Sequence, residues 1–365
     1  MKILHVLYAG LGGHGNVFFS MVKADEKKDY QFEALFYGIE EVKDDYIQQC
    51  SQSGIAWNFV KKKVGNHISF LWKMAKAIKK AKPDIIFLHA SSNIPAAYMA
   101  TLGVRHKPKI IVRETQANHL KTKNDKTALK LAMRFADKIV FLSNQYEETV
   151  KHELGKKYRS EKTIVIPNGL DVDLYKPAAA EIKNAAFTIG MQSRLVALKD
   201  HATLIEAFAK LVKEKPEPFK LKIAGDGESR AALEKLVLQL NLQQQIEFTG
   251  MLTEKELVDF LQGLDLYVHA SLGETMSTAI MQAMACGLPI IASDVPGINN
   301  MVTHKQTGLL VPAKDKEKMA SALLLLYDDI SLRRQLAKNT YTYALKEFDS
   351  KQMFQKYKAT FSIAK

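Results

Sequence analysis

The stretch from Asp265 to Pro296, DLYVHASLGETMSTAIMQAMACGLPIIASDVP, constrains the fold more than any other. It reads as strand, loop, short helix, tight stop, strand. DLYVHAS has the β-branched and aromatic content of a buried strand. Ser277 or Thr278 is placed to cap the helix. Gly287 sits where a helix C′ glycine belongs, and Pro289 follows it. Glu274 then falls in the loop before the helix and Gln282 about one turn inside it. Two polar side chains therefore flank a helix N-terminus, whose unpaired N–H groups and partial positive charge suit a phosphate.

The same alternation runs through the chain. Strands are expected at KILHVLY (2–8), QFEALFY, KPDIIFLHAS, KIIVRET, ADKIVFLS and TIVIPNG. AGLGGHGN and an apolar helix, NVFFSMVKA, follow the first strand. A helix over 67–80 is predicted to bury Ile68, Leu71, Trp72, Ala75 and Ile78, with Lys73, Lys76, Lys79 and Lys80 largely away from that face. After DVDLYKPAAAEIKNA, which has the look of a linker, the alternation restarts with AFTIGMQ, FKLKIAG, QIEFTG, DLYVHAS, LPIIAS and TGLLVP. The pattern predicts an α/β protein of two doubly wound parallel sheets. The expected division is a first domain over 1–170, a linker over 171–185, a second domain over 186–347, and a closing helix over 348–365. In such sheets ligands sit beyond the C-terminal strand ends. AGLGGHGN, HASS, RETQ, MQSR, AGDGE, FTGM and HASLGE all lie there.

Composition excludes several classes. Cys50 and Cys286 are far apart and lack metal-ligand spacing, which fits a cytoplasmic, disulfide-free protein. No apolar run reaches the roughly 18–20 residues that span a bilayer. The opening MKILHVLYAGLGG has one lysine, a short apolar core and no A-x-A site, so it reads as a strand rather than a signal peptide. The net charge of +13 is uneven. Residues 1–180 hold 29 basic and 18 acidic side chains, and residues 181–365 hold 23 and 21. Within 51–138 the numbers are 18 and 4, which points to an acidic partner or an anionic membrane surface. No nucleic-acid recognition module accompanies the charge. His, Asp and Cys clusters for zinc are absent from the sequence. The D-x-D at Asp171 and Asp173 follows NGL and reads as turn chemistry rather than as a metal site.

NGLDVDLYKP, MQSRLVALKDHATLIEAF, LKIAGDGE, IEFTGML, GETMSTAIMQAMACGLPIIAS and TGLLVPAKD occur in order. On these pieces, over about residues 160–315, the chain resembles the family 4 glycosyltransferases of the GT-B fold. The resemblance implies two Rossmann-like domains facing a central cleft. It implies a retaining, hexosyltransferase-type enzyme that takes its sugar from a nucleotide diphosphate sugar, with uridine the commonest base. No metal or other cofactor is required in the family. The closing helix is expected to cross back to the first domain.

Arg194 and Lys199 stand five residues apart between a strand and a helix, where fixed cations stabilise a departing diphosphate. By resemblance they are its clamp. Glu274 matches the glutamate that faces the donor sugar, and Gln282 stands where the family has a second glutamate on the ribose. The exchange loses a charge-assisted bond worth about 1 kcal/mol. Met276, Ser277 and Thr278 offer backbone N–H groups to the β-phosphate. The loop at Gly250, Met251 and Leu252 corresponds to the one that meets the nucleotide base. On the first domain, Gly12 and Gly13 allow close backbone approach, and by resemblance their loop lies opposite the diphosphate. His89 matches a histidine near the reaction centre, and Glu114 is a further candidate.

The expected acceptor is a glycan or lipid-linked saccharide of a cell-surface polysaccharide, reached from the cytoplasm or as a peripheral protein of the inner membrane face. Two other readings stay open. One is a sugar-nucleotide-binding partner subunit with weakened catalysis. The other is another GT-B enzyme, such as a sugar-nucleotide epimerase or a phosphorylase.

Overall fold

The protein is described from a computed structural model, which covers every residue except Leu11, Val64, Asn66, Ala117, His119, Leu120, 180–184 and 363–365. The chain divides into two compact units, Met1–Gly169 with Ser350–Lys365, and Leu170–Asp349.

The first unit begins with β1 (Lys2–Tyr8), α1 (Gly13–Ala24), β2 (Gln31–Gly38), α2 (Asp44–Gln52), β3 (Ala56–Lys61), α3 (His67–Ala81) and β4 (Ile85–Leu88). It continues with α4 (Ile94–Ala100), β5 (Lys109–Arg113), α5 (Lys123–Phe135), β6 (Lys138–Phe141), α6 (Asn144–Leu154) and β7 (Thr163–Val165). The seven strands are parallel in the order β3-β2-β1-β4-β5-β6-β7. Central strands such as Ile85–Leu88 are buried throughout, as strands covered on both faces must be. The sequence pattern gave six strands here; β3 is the seventh. It lies at the sheet edge with most of its residues exposed, so no run of apolar residues marks it.

α1 begins at Gly13, earlier than the apolar run suggests, so Gly13 and Gly15 are helical. A Cβ on Gly15 would lie 2.2 Å from the Tyr46 hydroxyl, so that glycine admits a close approach. α3 also departs from expectation. It buries Phe70, Met74, Ala75 and Ile78, and leaves Ile68 and Trp72 in solvent.

The second unit contains β8 (Phe187–Gln192), α7 (His201–Glu214), β9 (Phe219–Ala224), α8 (Arg230–Gln239), β10 (Ile246–Gly250), α9 (Glu254–Gln262) and β11 (Leu266–His269). α10 (Thr278–Ala285), β12 (Ile290–Ser293), β13 (Leu309–Val311), α11 (Lys316–Asp328) and α12 (Ile330–Glu347) complete it. Its six parallel strands run β10-β9-β8-β11-β12-β13.

The segment expected as a linker is partly built into this unit. Leu170 and Tyr175 are buried in its core, and Leu170 N–H donates to the Phe348 carbonyl at 2.8 Å. Asp171 accepts the N–H groups of Asp173 and Leu174 at 3.1 and 3.2 Å, which is an Asx turn. Residues 180–184 of that expected linker lie outside the described residues. The last helix, α13 (Ser350–Ser362), belongs to the first unit. Its Met353, Phe354, Tyr357 and Phe361 fill the same core as α1.

Candidate active site

Each sheet reverses its strand order once, between β1 and β4 in the first unit and between β8 and β11 in the second. A doubly wound sheet opens a crevice at such a reversal, beyond the C-terminal strand ends. Arg194, Glu274, Gly12 and His89 follow the strands at these two places, whereas Gly250 ends edge strand β10 and Glu114 follows β5.

In the second unit, Arg194 follows β8 and is exposed, while Lys199 precedes α7 and is mostly covered. Glu274 follows β11 and makes an ion pair with Lys199. Their side chains are 12% and 16% exposed, so the pair is half-open rather than sealed. Burial and the Arg194 guanidinium push the Lys199 ammonium down to about 7. The Glu274 carboxylate in contact opposes both, and at that range the ion pair holds the charge.

Glu274 is fixed from behind by His269, whose Nε2 lies 3.0 Å from Oε1. A carboxylate only accepts, so Nε2 carries the proton. Nδ1 is then the acceptor facing the Tyr267 hydroxyl at 3.3 Å, and that hydroxyl stands 3.2 Å from the Gln192 carbonyl. Burial, then Lys199 and His201, hold His269 well below the usual histidine range, so it stays neutral with that one proton. The chain of contacts runs from the end of β8, beside Arg194, to Glu274. The Glu274 main chain is also held, since its N–H donates to the Pro296 carbonyl at 3.1 Å. Gly297, at φ 86°, leaves room for this: a Cβ there would meet the Glu274 carbonyl oxygen at 2.0 Å.

Ser277 caps α10 by accepting from the Ile280 N–H at 3.5 Å, and its hydroxyl also lies 3.2 Å from His269 Nε2. One histidine thus orients both the carboxylate and the helix cap. Met276 precedes this cap and Thr278 is the first residue of α10. The Ser277 N–H donates to the Met301 sulfur at 3.2 Å, so this amide is engaged. Gln282 is buried on α10, close to the Tyr175 hydroxyl. Its Oε1 is buried without a protein partner. A buried acceptor left unpaired costs about 1–3 kcal/mol, which a ligand hydroxyl would relieve. Gly250, at φ 75°, turns the chain after β10, where its carbonyl accepts from Gly225 N–H at 2.8 Å. Met251 beyond it is exposed, and Leu252 packs on the core beside α10.

In the first unit, His89 follows β4 and is buried. Its Nε2 lies 3.0 Å from His5 Nδ1, and its own Nδ1 has no protein partner. Burial, then His5, Arg113 and His14, depress it well below 6.5, so it is neutral. The Gly12 N–H and carbonyl are both engaged by the Tyr46 hydroxyl, at 3.0 and 3.2 Å. Gly13 opens α1 beside it. Glu114 forms a buried ion pair with Lys121 at 3.2 Å, and Lys121 also meets Tyr146 and the Gln116 carbonyl. Glu114 is therefore tied into the framework of its loop.

His269, Tyr267, Tyr175 and the fully buried Arg113, which meets Asn168 and Tyr357, are not singled out by sequence reasoning. The available signal for His269 was a histidine closing an otherwise apolar strand, five residues before Glu274. Among the described residues no group of three His, Cys, Asp or Glu side chains is placed to hold a metal ion.

Comparison with known proteins gives this architecture its class. The Anabaena HepE structure in complex with UDP-glucose superposes with a TM-score of 0.84 at 23% identity, covering 100% of both chains. Sucrose-phosphate synthase from Thermosynechococcus elongatus gives 0.77 at 19% identity, again over 100% of both. The fold is GT-B. Two family models match the chain, Glycosyltransferase Family 4 over residues 11–174 and Glycosyl transferases group 1 over residues 176–343. The chain belongs to the family 4 glycosyltransferases. A glycosyltransferase of Methanocaldococcus jannaschii without assigned substrate is 26% identical over 310 residues, 80% of this chain and 78% of that protein. The GDP-mannose-dependent monoacylated phosphatidylinositol monomannoside mannosyltransferase of Corynebacterium glutamicum is 25% identical over 276 residues, 70% of each.

Proposed function

We propose that the protein is a retaining glycosyltransferase moving a sugar from a nucleotide diphosphate sugar to a glycan or lipid-linked acceptor in cell-surface polysaccharide synthesis. The observation that carries this reading is the half-open Lys199–Glu274 pair, fixed by His269 at the β8/β11 reversal and set before the N-terminus of α10. Arg194, Lys199 and the α10 N-terminus take the diphosphate, and Glu274 takes the hydroxyls of the donor sugar. The unpaired Gln282 Oε1 suits a ribose hydroxyl, and the turn at Gly250, Met251 and Leu252 takes the base. On the first unit, the corresponding reversal carries Gly12, Gly13 and His89, which we assign to sugar hydroxyls.

In the reaction, the bond from the anomeric carbon to the diphosphate oxygen breaks. The acceptor oxygen bonds the same face of that carbon, and its proton passes to the departing diphosphate. The charge that develops on the leaving group is met by Arg194 and Lys199, so no divalent metal is needed. Uridine is the base we favour; UDP and UDP-glucose occupy HepE, whereas the Corynebacterium relative is named for GDP-mannose. The acceptor side works at the cytoplasmic face of a membrane, in line with the basic first half of the chain.

The test is sugar transfer and nucleotide release by Arg194→Ala and Lys199→Ala, with chelator present. Near-native turnover in both variants refutes the clamp, and loss of native activity to chelator refutes the metal-free step. Calorimetric binding of a nucleotide diphosphate without turnover over an acceptor panel would favour a non-catalytic partner subunit.

A further inference from the structure

The outward face of α3 combines exposed apolar and basic side chains. Ile68 and Trp72, one helical turn apart, are 74% and 65% exposed. Lys76 and Lys79 share their side of the helix, and Lys73 and Lys80 flank it. The helix contains no acidic residue. Among the described residues, no ion pair engages Lys63, Lys73, Lys76 or Lys80, whereas Lys61 is paired with Glu41. Lys79 donates to the Leu102 carbonyl at 3.3 Å, which brings exposed Leu102 to the border of the same face. Beside it, a concavity of about 200 Å³ is lined by Lys61, Lys63, Ser69, Phe70 and Lys73.

We propose that α3 is a membrane-docking element, which lays Ile68 and Trp72 into the interface of an anionic lipid leaflet while the surrounding lysines hold the headgroup phosphates. This deepens the reading above that the acceptor side works at a membrane. The helix underside is already spent on the core through Phe70, Met74, Ala75 and Ile78, and among the described residues the outward apolar pair stays in solvent. Indole rings favour the headgroup level of a bilayer, and lysines near it are drawn by anionic lipid. A second copy of this chain is disfavoured on the same patch, because two faces of uncompensated lysines repel each other. Only two large apolar side chains enter, so insertion is shallow and the attachment depends on charge. The recess between Lys63 and Lys73 has the size and charge for one lipid phosphate.

The chain has two tryptophans, so Trp57→Phe leaves Trp72 as its only indole. With the full-length Trp57→Phe protein, vesicles containing phosphatidylglycerol are expected to shift Trp72 emission to the blue and to co-sediment the protein. Pure phosphatidylcholine vesicles should do neither, and added salt should reverse both effects. Trp72→Ser should weaken vesicle binding about tenfold, and Lys73→Glu/Lys76→Glu by about tenfold or more. Both changes lie on the surface, and unchanged melting temperatures would verify that. Equal binding to both vesicle types overturns the proposal. So does binding without a Trp72 shift. Transfer to a soluble acceptor should be unchanged in Trp72→Ser. If wild-type protein docks but transfers nothing, the docking stands and the transferase reading fails.

Discussion

Each unit carries a covered lysine–glutamate pair, and the two differ in what encloses them. In the first unit, Lys121 and Glu114 are 0% and 2% exposed. Lys121 spends its other donors on the Tyr146 hydroxyl and the Gln116 carbonyl. In the second unit, Lys199 and Glu274 stay partly open, with Arg194 close enough to act on the lysine and the N-terminus of α10 nearby. The first pair is closed and serves the fold. The second retains charge at an accessible place, which is what binding an anion requires. An ion pair's chemistry is thus the same in both units, and enclosure separates framework from candidate site.

The comparison breaks first, and with the largest effects, at the two lysines. Lys199→Ala is expected to lower kcat by about 10²–10³, as loss of one preformed charge at a leaving group does. Lys121→Ala should instead cost about 3–5 kcal/mol of stability, because it strands a buried carboxylate. Its nucleotide affinity should be unchanged. Chemical denaturation and single-turnover kinetics on both variants separate the effects, and a catalytic loss in Lys121→Ala with native stability would erase the distinction.

His269→Asn is a smaller perturbation. It frees Glu274 from its fixed orientation, and kcat should fall about tenfold while the donor KM changes little. A KM effect alone would show that His269 serves binding rather than aim.

The next test bears on both units at once, because each buries neutral histidines. Burial and Arg113 push His5 to about 3, and burial, then Lys199, push His201 to about 4. The unfolded chain takes up these protons near 6.5, before the folded one does. The resulting stability is complete above that pH and is lost as pH falls from 6.5 through about 4 for His201 and about 3 for His5. Thermal melts over that range should show the fall. A flat profile would refute neutral burial. The smallest effect is expected of Gln282→Glu, which should tighten nucleotide binding a few-fold, on the order of 1 kcal/mol. Weakened binding would show that the amide, through Tyr175, is what the site uses.

Much of this architecture is legible in the chain itself. Apolar runs of strand length alternating with amphipathic helices specify two parallel sheets. The order of short motifs at the strand ends places Arg194, Lys199 and Glu274 in one unit. The helix signals around Ser277 and Gly287 are local, and both appear, with Gly287 at φ 71°. Edge strand β3 was not legible, because an exposed strand needs no apolar run. The buried face of α3 was legible only in part: Ala75 and Ile78 are buried as expected, whereas Ile68 and Trp72 are exposed and Phe70 and Met74 are buried in addition. Its apolar residues cover more than half its circumference, so the 3.6-residue period fits two faces equally.

The sequence by itself determined periodicity, turn chemistry and which charged residues follow which strand, since these depend on neighbours a few positions apart. Only the tertiary structure decided that Phe70 rather than Trp72 faces the sheet. It likewise decided that Glu114 is enclosed while Glu274 is partly exposed, and that His269 stands behind Glu274 with Gln282 leaving an acceptor free. Burial and hydrogen-bond partnership are set by groups distant in sequence, such as Asn168 with Arg113 or Tyr146 with Lys121. The free energy of a buried polar group depends on those partners rather than on its place in the chain.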